Sequence, residues 1–206
     1  EPAWAYGGST RVVVELARRQ AAHGHAVTVA TTDALDESRR APAGVHTLEG
    51  VTVRRFRNLS NALAWRRLFL PRGFGRGVAR LLPGADVVHI HEVRSLLNAA
   101  ALPHLLRAQV PYIVTAHGGL PVELGRAAYK RIYDVLYGRR LLGHACRLHA
   151  MTAMERDQYT VLGLPHDRIV HIPNGIDPTV TAEADARAFR QRRSIPENAP
   201  VVGFLG

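Results

Sequence analysis

Histidine is the side chain whose charge a protein most easily sets near neutral pH, and one stands at a telling place in this sequence. His117 follows a short apolar run, YIVT at 112–115, and precedes Gly118 and Gly119. A histidine at the end of a strand, beside glycines, can donate a hydrogen bond to a hydroxyl or stabilise charge in a transition state. Gly7 and Gly8 lie just ahead of a helical pattern, where backbone without Cβ approaches a ligand closely and unpaired N–H groups face an anion. No third glycine follows before Gly24, so this is a Gly-Gly loop, or a plain turn, and not G-x-G-x-x-G. His89 and His91 are two apart on a strand and share one face. That spacing could serve a metal, but no Asp, Cys or further His stands at a clear ligand spacing, and none is assigned. His89 reads as a core residue, while His91 and Glu92 border a cleft at the strand end. Thr152 and Glu155 form a T-x-x-E capping box, with a ligand contact for Thr152 as the alternative. Nothing has the pattern of a Ser-His-Asp triad, a P-loop or the paired carboxylates of a glycoside hydrolase.

Short apolar strands alternating with helices must position these residues. Ser9 or Thr10 is expected to cap a helix with Val13, Leu16 and Ala17 inward and Gly24 as its stop. Strands are expected at 26–30, 51–56, 86–90, 112–115, 147–151, 168–172 and 201–205. Helices are expected over about 95–109, broken or kinked by Pro103, then over 122–142, 153–162 and 182–193. This alternation predicts an α/β fold, a Rossmann-like parallel sheet wound on both faces. Ligands of such sheets gather at the carboxyl ends of the strands, where His117 is placed. The turn cluster IPNGIDP at 172–178 marks a boundary. It divides a first domain, 1–172, from a linker and the start of a second, 173–206, with Asn174 and Gly175 as hinge because both tolerate left-handed backbone. Both ends are expected to be cut: no strand precedes the first glycine loop, which should leave a gap in the middle of the sheet.

The motifs YGGSTRVVVELARRQAAHGHAVTVAT, DVVHIHE, TAHGG, MTAMERDQYTVLGLPHDRIVHIPNGID and VVGFLG run in one order over nearly the whole chain. Together they resemble the N-terminal half of a family 4 glycosyltransferase of GT-B fold. The resemblance implies a retaining enzyme, independent of metal or other cofactor, that moves a sugar from a nucleotide-sugar to an acceptor. In that family the N-terminal domain mainly holds the acceptor. The Gly7–Gly8 loop would then lie against the donor diphosphate and the acceptor, and His117 would contact the donor sugar. Gly118, His91 and Thr152 would border the cleft. The E-x7-E donor motif of the family is not in these residues, so this stretch alone is expected to be inactive. A GT-B epimerase or phosphorylase is the alternative enzyme.

Composition narrows the classes. The 206 residues are 47% hydrophobic and 21% charged, which supports an ordinary globular core. No apolar run reaches the roughly 18 residues of a membrane span, no signal peptide pattern opens the sequence, and one cysteine, Cys146, excludes an internal disulfide. A cytoplasmic protein is expected. The net charge of +10 is local in origin: eight arginines and no acid fall between Gly50 and Ala85. A basic domain that binds nucleic acid is the non-enzymatic alternative, but the aromatic pattern of an RNA-recognition motif and a helix-turn-helix signal are both lacking, so nucleic acid is not expected. Arg66, Arg67, Arg72, Arg76 and Arg80 are interleaved with Leu63, Trp65, Phe69 and Phe74. They fit a solvated face of core helices, a site for a phosphate-bearing acceptor, or docking on an anionic inner membrane face. The last two agree with a lipid-linked acceptor in cell-envelope or exopolysaccharide synthesis.

Overall fold

The computed structural model describes residues 2–122, 127–175 and 185–203. Two compact units divide the chain, Glu1–Pro173 and Asn174–Gly206. In the first, α1 (Gly8–Ala22) leads to β1 (Thr28–Thr32), β2 (Gly44–Leu48) and β3 (Val51–Phe56). The short α2 (Asn61–Trp65) and α3 (Phe74–Leu81) follow, then β4 (Val88–His91), α4 (Leu96–Ala108) and β5 (Tyr112–Thr115). Next come α5 (Ala127–Tyr133), α6 (Arg139–Gly143), β6 (Arg147–Ala150), α7 (Ala153–Val161) and β7 (Ile169–His171). The second unit holds α8 (Ala186–Arg192).

The expected α/β alternation is present, but the strands form two sheets. β4-β5-β6-β7 is wholly parallel, whereas β1-β3-β2 pairs β1 with β3 parallel and β2 with β3 antiparallel. Among the described residues no strand joins β1 to β4. The stretch before Val51, where no strand was expected, contains β2, joined to β3 by Glu49 and Gly50, both in left-handed backbone. Such a two-residue turn suits a tight hairpin, and β2 is mostly exposed, so its sequence lacks an apolar signature.

In the parallel sheet, strand alternation separates two chemistries. Ile90, Val114, Leu148 and Ile169 lie in register on one face, and His91, Thr115, His149 and Val170 on the other. The apolar row belongs to the main core with Leu102, Leu105, Leu141 and Tyr159. Ser95 caps α4, which runs through Pro103 without breaking. The helix expected over 122–142 is interrupted by a π turn at Asp134–Gly138, its first four residues from Val122 lying partly outside the described ones. Residues 201–203 form no strand, and 204–206 of that expected strand are outside the described residues.

Helices α3 and α4 approach closely at Gly75, where a Cβ would stand 2.7 Å from the Ala100 carbonyl oxygen. Helix propensity alone favours alanine over glycine by about 1 kcal/mol. The clash with fixed backbone outweighs this, so Gly75→Ala should destabilise the protein by about 1–3 kcal/mol. A thermal melt checks the sign: a raised midpoint would show that the two helices are not in close contact there.

Candidate active site

The carboxyl ends of β4 and β5 carry the residues singled out for chemistry. His91 closes β4, and His117 stands two residues past Thr115, the end of β5. Nδ1 of His91 and Nε2 of His117 are 2.8 Å apart. Below them the His89 ring lies against His91 with centroids 4.1 Å apart, and Thr115 Oγ1 links His89 Nε2 (2.7 Å) to His149 Nδ1 (2.8 Å). His89 is therefore not an isolated core histidine; it belongs to a polar row of four imidazoles and one hydroxyl. His149 carries no motif, which is why the sequence did not single it out.

Both strands leave the sheet through non-glycine residues with left-handed backbone, Glu92 (φ 67°) and His117 (φ 51°). Such conformations cost on the order of 1 kcal/mol or more and need to be held by their surroundings. Asn98 donates to the Glu92 carbonyl at 2.8 Å, and Ser9 Oγ donates to the Glu92 carboxylate at 3.0 Å. Ser9 is thus not a helix cap: Gly7 occupies that position, no side chain caps α1, and Gly7 and Gly8 are exposed. The Ser9–Glu92 bond ties the start of α1, with its Gly-Gly loop, to the residue after His91. Arg67 fixes the same loop from the other side, donating to the Tyr6 carbonyl at 2.7 Å.

The His117 loop is clamped by two side chains that the sequence did not reveal. Glu155, 4% exposed, accepts from the Gly118 N–H on one oxygen (2.5 Å) and from the Met151 N–H on the other (2.7 Å). A capping box would send Glu155 back to the Thr152 N–H; here only the Thr152 half forms, its hydroxyl accepting from the Glu155 N–H at 3.1 Å. Arg94 donates to the carbonyls of Gly119 and Leu120 and pairs with both oxygens of Asp134. The π turn presents Asp134 for this pairing, and Gly138 leaves room for its carboxylate. Glu155 could have been suspected from its T-x-x-E spacing. Arg94 could not, because its partners lie 25 to 40 residues away.

The remaining candidates are placed as follows. Thr152 and Gly118 are exposed near this loop. Asn174 and Gly175 are exposed at the start of the second unit, and neither takes the left-handed backbone expected of them. Arg66, Arg67, Arg72, Arg76 and Arg80 are all exposed. They do not act alike: Arg67 serves the Gly7 loop, while Arg76 and Arg80 sit one turn apart on α3. Among the described residues no three His, Cys, Asp or Glu side chains converge to hold a metal ion.

Burial sets the charge of the row. Desolvation pushes the pKa of His89 down to about 4 and that of His91 to about 2, with repulsion from the neighbouring imidazoles added. His117 is lowered by burial as well, against the opposing pull of Glu92 and Glu155. At neutral pH these rings are uncharged, each with one N–H donor and one bare acceptor nitrogen. That suits them to sugar hydroxyls, which are donors and acceptors at once.

This α/β domain holds an imidazole pair beside a helix start at the carboxyl edge of its sheet, where open α/β sheets gather their ligands. Residues 6–180 match Glycosyltransferase Family 4, and the chain belongs to that family. It is 29% identical to the D-inositol 3-phosphate glycosyltransferase of Stackebrandtia nassauensis and 32% identical to that of Kribbella flavida. Each match takes in 97% of this chain and 47% or 49% of the relative, so the chain spans about half the length of the curated relatives it matches. Among solved structures it resembles Anabaena Alr3699/HepE in complex with UDP-glucose (TM-score 0.57, 14% identity) and with UDP and glucose (TM-score 0.58, 15% identity). These cover 91% of this chain and 46% or 47% of the other. The GT-B type of α/β fold expected from the sequence is the fold found.

The depressed histidines fix a pH dependence. An unfolded histidine binds a proton below about pH 6.5, which folded His89 refuses until about pH 4. Stability is therefore full above pH 6.5 and falls as pH drops, by about 1.4 kcal/mol per unit for each histidine held neutral. The loss from His89 ends near pH 4, and that from His91 continues below it. Urea midpoints measured from pH 7.5 to 4.5 should show this slope, and His89→Gln should reduce it; a flat profile would contradict the burial of the row.

Proposed function

We propose that the protein transfers a glycosyl group from a nucleotide-sugar to an acceptor, with retention at the anomeric carbon and no metal or other cofactor. The unit Glu1–Pro173 carries the acceptor side of the site. One observation carries this reading: the neutral His91–His117 pair lies at the carboxyl edge of β4 and β5 and is tied through Glu92 to the uncapped start of α1. The likeness to proteins held with UDP-glucose or UDP supports a nucleotide-sugar as donor. In the reaction the bond from the anomeric carbon to the diphosphate breaks, one to the acceptor oxygen forms, and the proton of that hydroxyl passes to the departing diphosphate. His117 would bond a hydroxyl of the donor sugar and steady charge as the first bond breaks. Gly7 and Gly8 would lie against the diphosphate, which the Gly8 N–H would face, since the Gly7 N–H donates to the Trp4 carbonyl at 3.0 Å. Gly118, His91 and Thr152 would border the acceptor, and Asn174 and Gly175 would form the hinge.

In the full-length enzyme His117→Ala should lower turnover by about 10²-fold, the usual cost of a positioned polar group in a site. Steady-state kinetics with a nucleotide-sugar checks this, and unchanged turnover removes His117 from the site.

The acceptor is proposed to bear phosphate or pyrophosphate, soluble or carried on a lipid at the inner face of the plasma membrane. Supporting this are the exposed arginines and the inositol 3-phosphate in the name of both relatives. The lipid form is favoured by apolar surface: Trp4 and Trp65 are 46% and 44% exposed, and the Arg11 guanidinium stands over the Trp4 ring. No helix among the described residues is long and apolar enough to cross a membrane. Changing Arg66, Arg72, Arg76 and Arg80 together to Gln, with Arg67 kept because it holds the Tyr6 carbonyl, separates the forms. Loss of binding to anionic but not neutral vesicles supports the lipid surface. A raised KM for acceptor without vesicle binding supports a soluble phosphate, and no change in either assigns these arginines to solvation alone.

A further inference from the structure

The hydrogen bonds along the imidazole row have a direction, and one backbone carbonyl sets it. The carbonyl of Ile172, just past β7, can only accept, so His149 presents its Nε2–H across 2.7 Å. A neutral His149 then has a bare Nδ1, and Thr115 Oγ1 at 2.8 Å must donate to it. Thr115 is fully buried, so its hydroxyl has no water to turn to. With its one proton committed, the same oxygen accepts from His89 Nε2 at 2.7 Å. His89 and His149 are thereby both Nε2–H tautomers, on strands with β5 between them. The His89 ring in turn backs His91, which meets His117.

We propose that His149, Thr115 and His89 are positioning residues, a directional relay that locks the imidazoles beneath the site in one tautomer and so presents His91 and His117 as a fixed neutral donor–acceptor pair. The tautomer assignment stands on these hydrogen bonds between uncharged rings. Its consequence for turnover rests on the glycosyltransferase reading. Neither His89 nor His149 needs to touch substrate; they act through the packing of the oriented His89 ring against His91.

Imidazole 1H–15N correlation spectra of the 15N-labelled chain at neutral pH test the relay directly. Wild type should show His89 and His149 as single Nε2–H tautomers. Thr115→Val keeps the β-branched shape and removes the hydroxyl: His149 should keep its Nε2–H form, held by Ile172, while His89 should lose its preference. Thr115→Ser should restore it. An Nδ1–H form or a mixture at either histidine in wild type overturns the proposal without any variant, as does a Thr115→Val protein whose His89 is unchanged. In the full-length enzyme Thr115→Val should lower kcat roughly tenfold with little change in KM, and Thr115→Ser should recover most of it. The predicted tautomers with unaltered kcat in Thr115→Val would overturn the positioning role alone. If His117→Ala also turns over normally, the failure lies with the glycosyltransferase reading and not with the relay.

Discussion

Two strand ends that turn the wrong way for ordinary residues govern this domain. Glu92 and His117 leave β4 and β5 in left-handed backbone without being glycine, and each conformation survives only because something buried holds it. Glu155 and Arg94 hold the His117 loop by its N–H and carbonyl groups, and Asn98 and Ser9 hold Glu92. Those four side chains come from α7, the loop before α4, α4 itself and α1. The site is thus the place where otherwise separate elements are obliged to meet. Removing any one clamp releases a strained turn, so the placement of the His91–His117 pair depends on side chains of four other segments.

The sheet gives the site its second property, a charge state. One face carries Ile90, Val114 and Leu148 into the core, and the same pleat sets His91, Thr115 and His149 side by side on the other. Burial then drives His89, His91 and His117 to their neutral forms. Polar groups so placed are tolerable only if bonded to one another. The row meets that demand internally and ends on a backbone carbonyl. The result is an array of hydrogen-bond donors and acceptors rather than a cationic patch. Of the exposed arginines, Arg76 and Arg80 lie on α3 and Arg66 and Arg72 flank α2 and α3, while Arg67 holds the Gly7 loop.

The sequence by itself determined the alternation of strands and helices, because period-2 and period-3.6 patterns with glycine stops are local facts. It also placed His117 and His91 at strand ends, Gly7 and Gly8 before α1, and Thr152 at the start of α7. What it could not determine was pairing. The β2–β3 hairpin has an exposed partner strand without apolar signal, and the division into two sheets depends on which edges find a neighbour. Ser9 read as a cap and became a tie to Glu92, 83 residues away. Glu155 read as half of a capping box and became the clamp of a loop 37 residues distant. Arg94 and His149 carried no local mark at all. Their roles are set by long-range hydrogen bonds whose partners are chosen only when register brings strands together, and a one-residue shift of β6 would move His149 to the apolar face. Local pattern decides where a side chain can be; only tertiary packing decides what it meets.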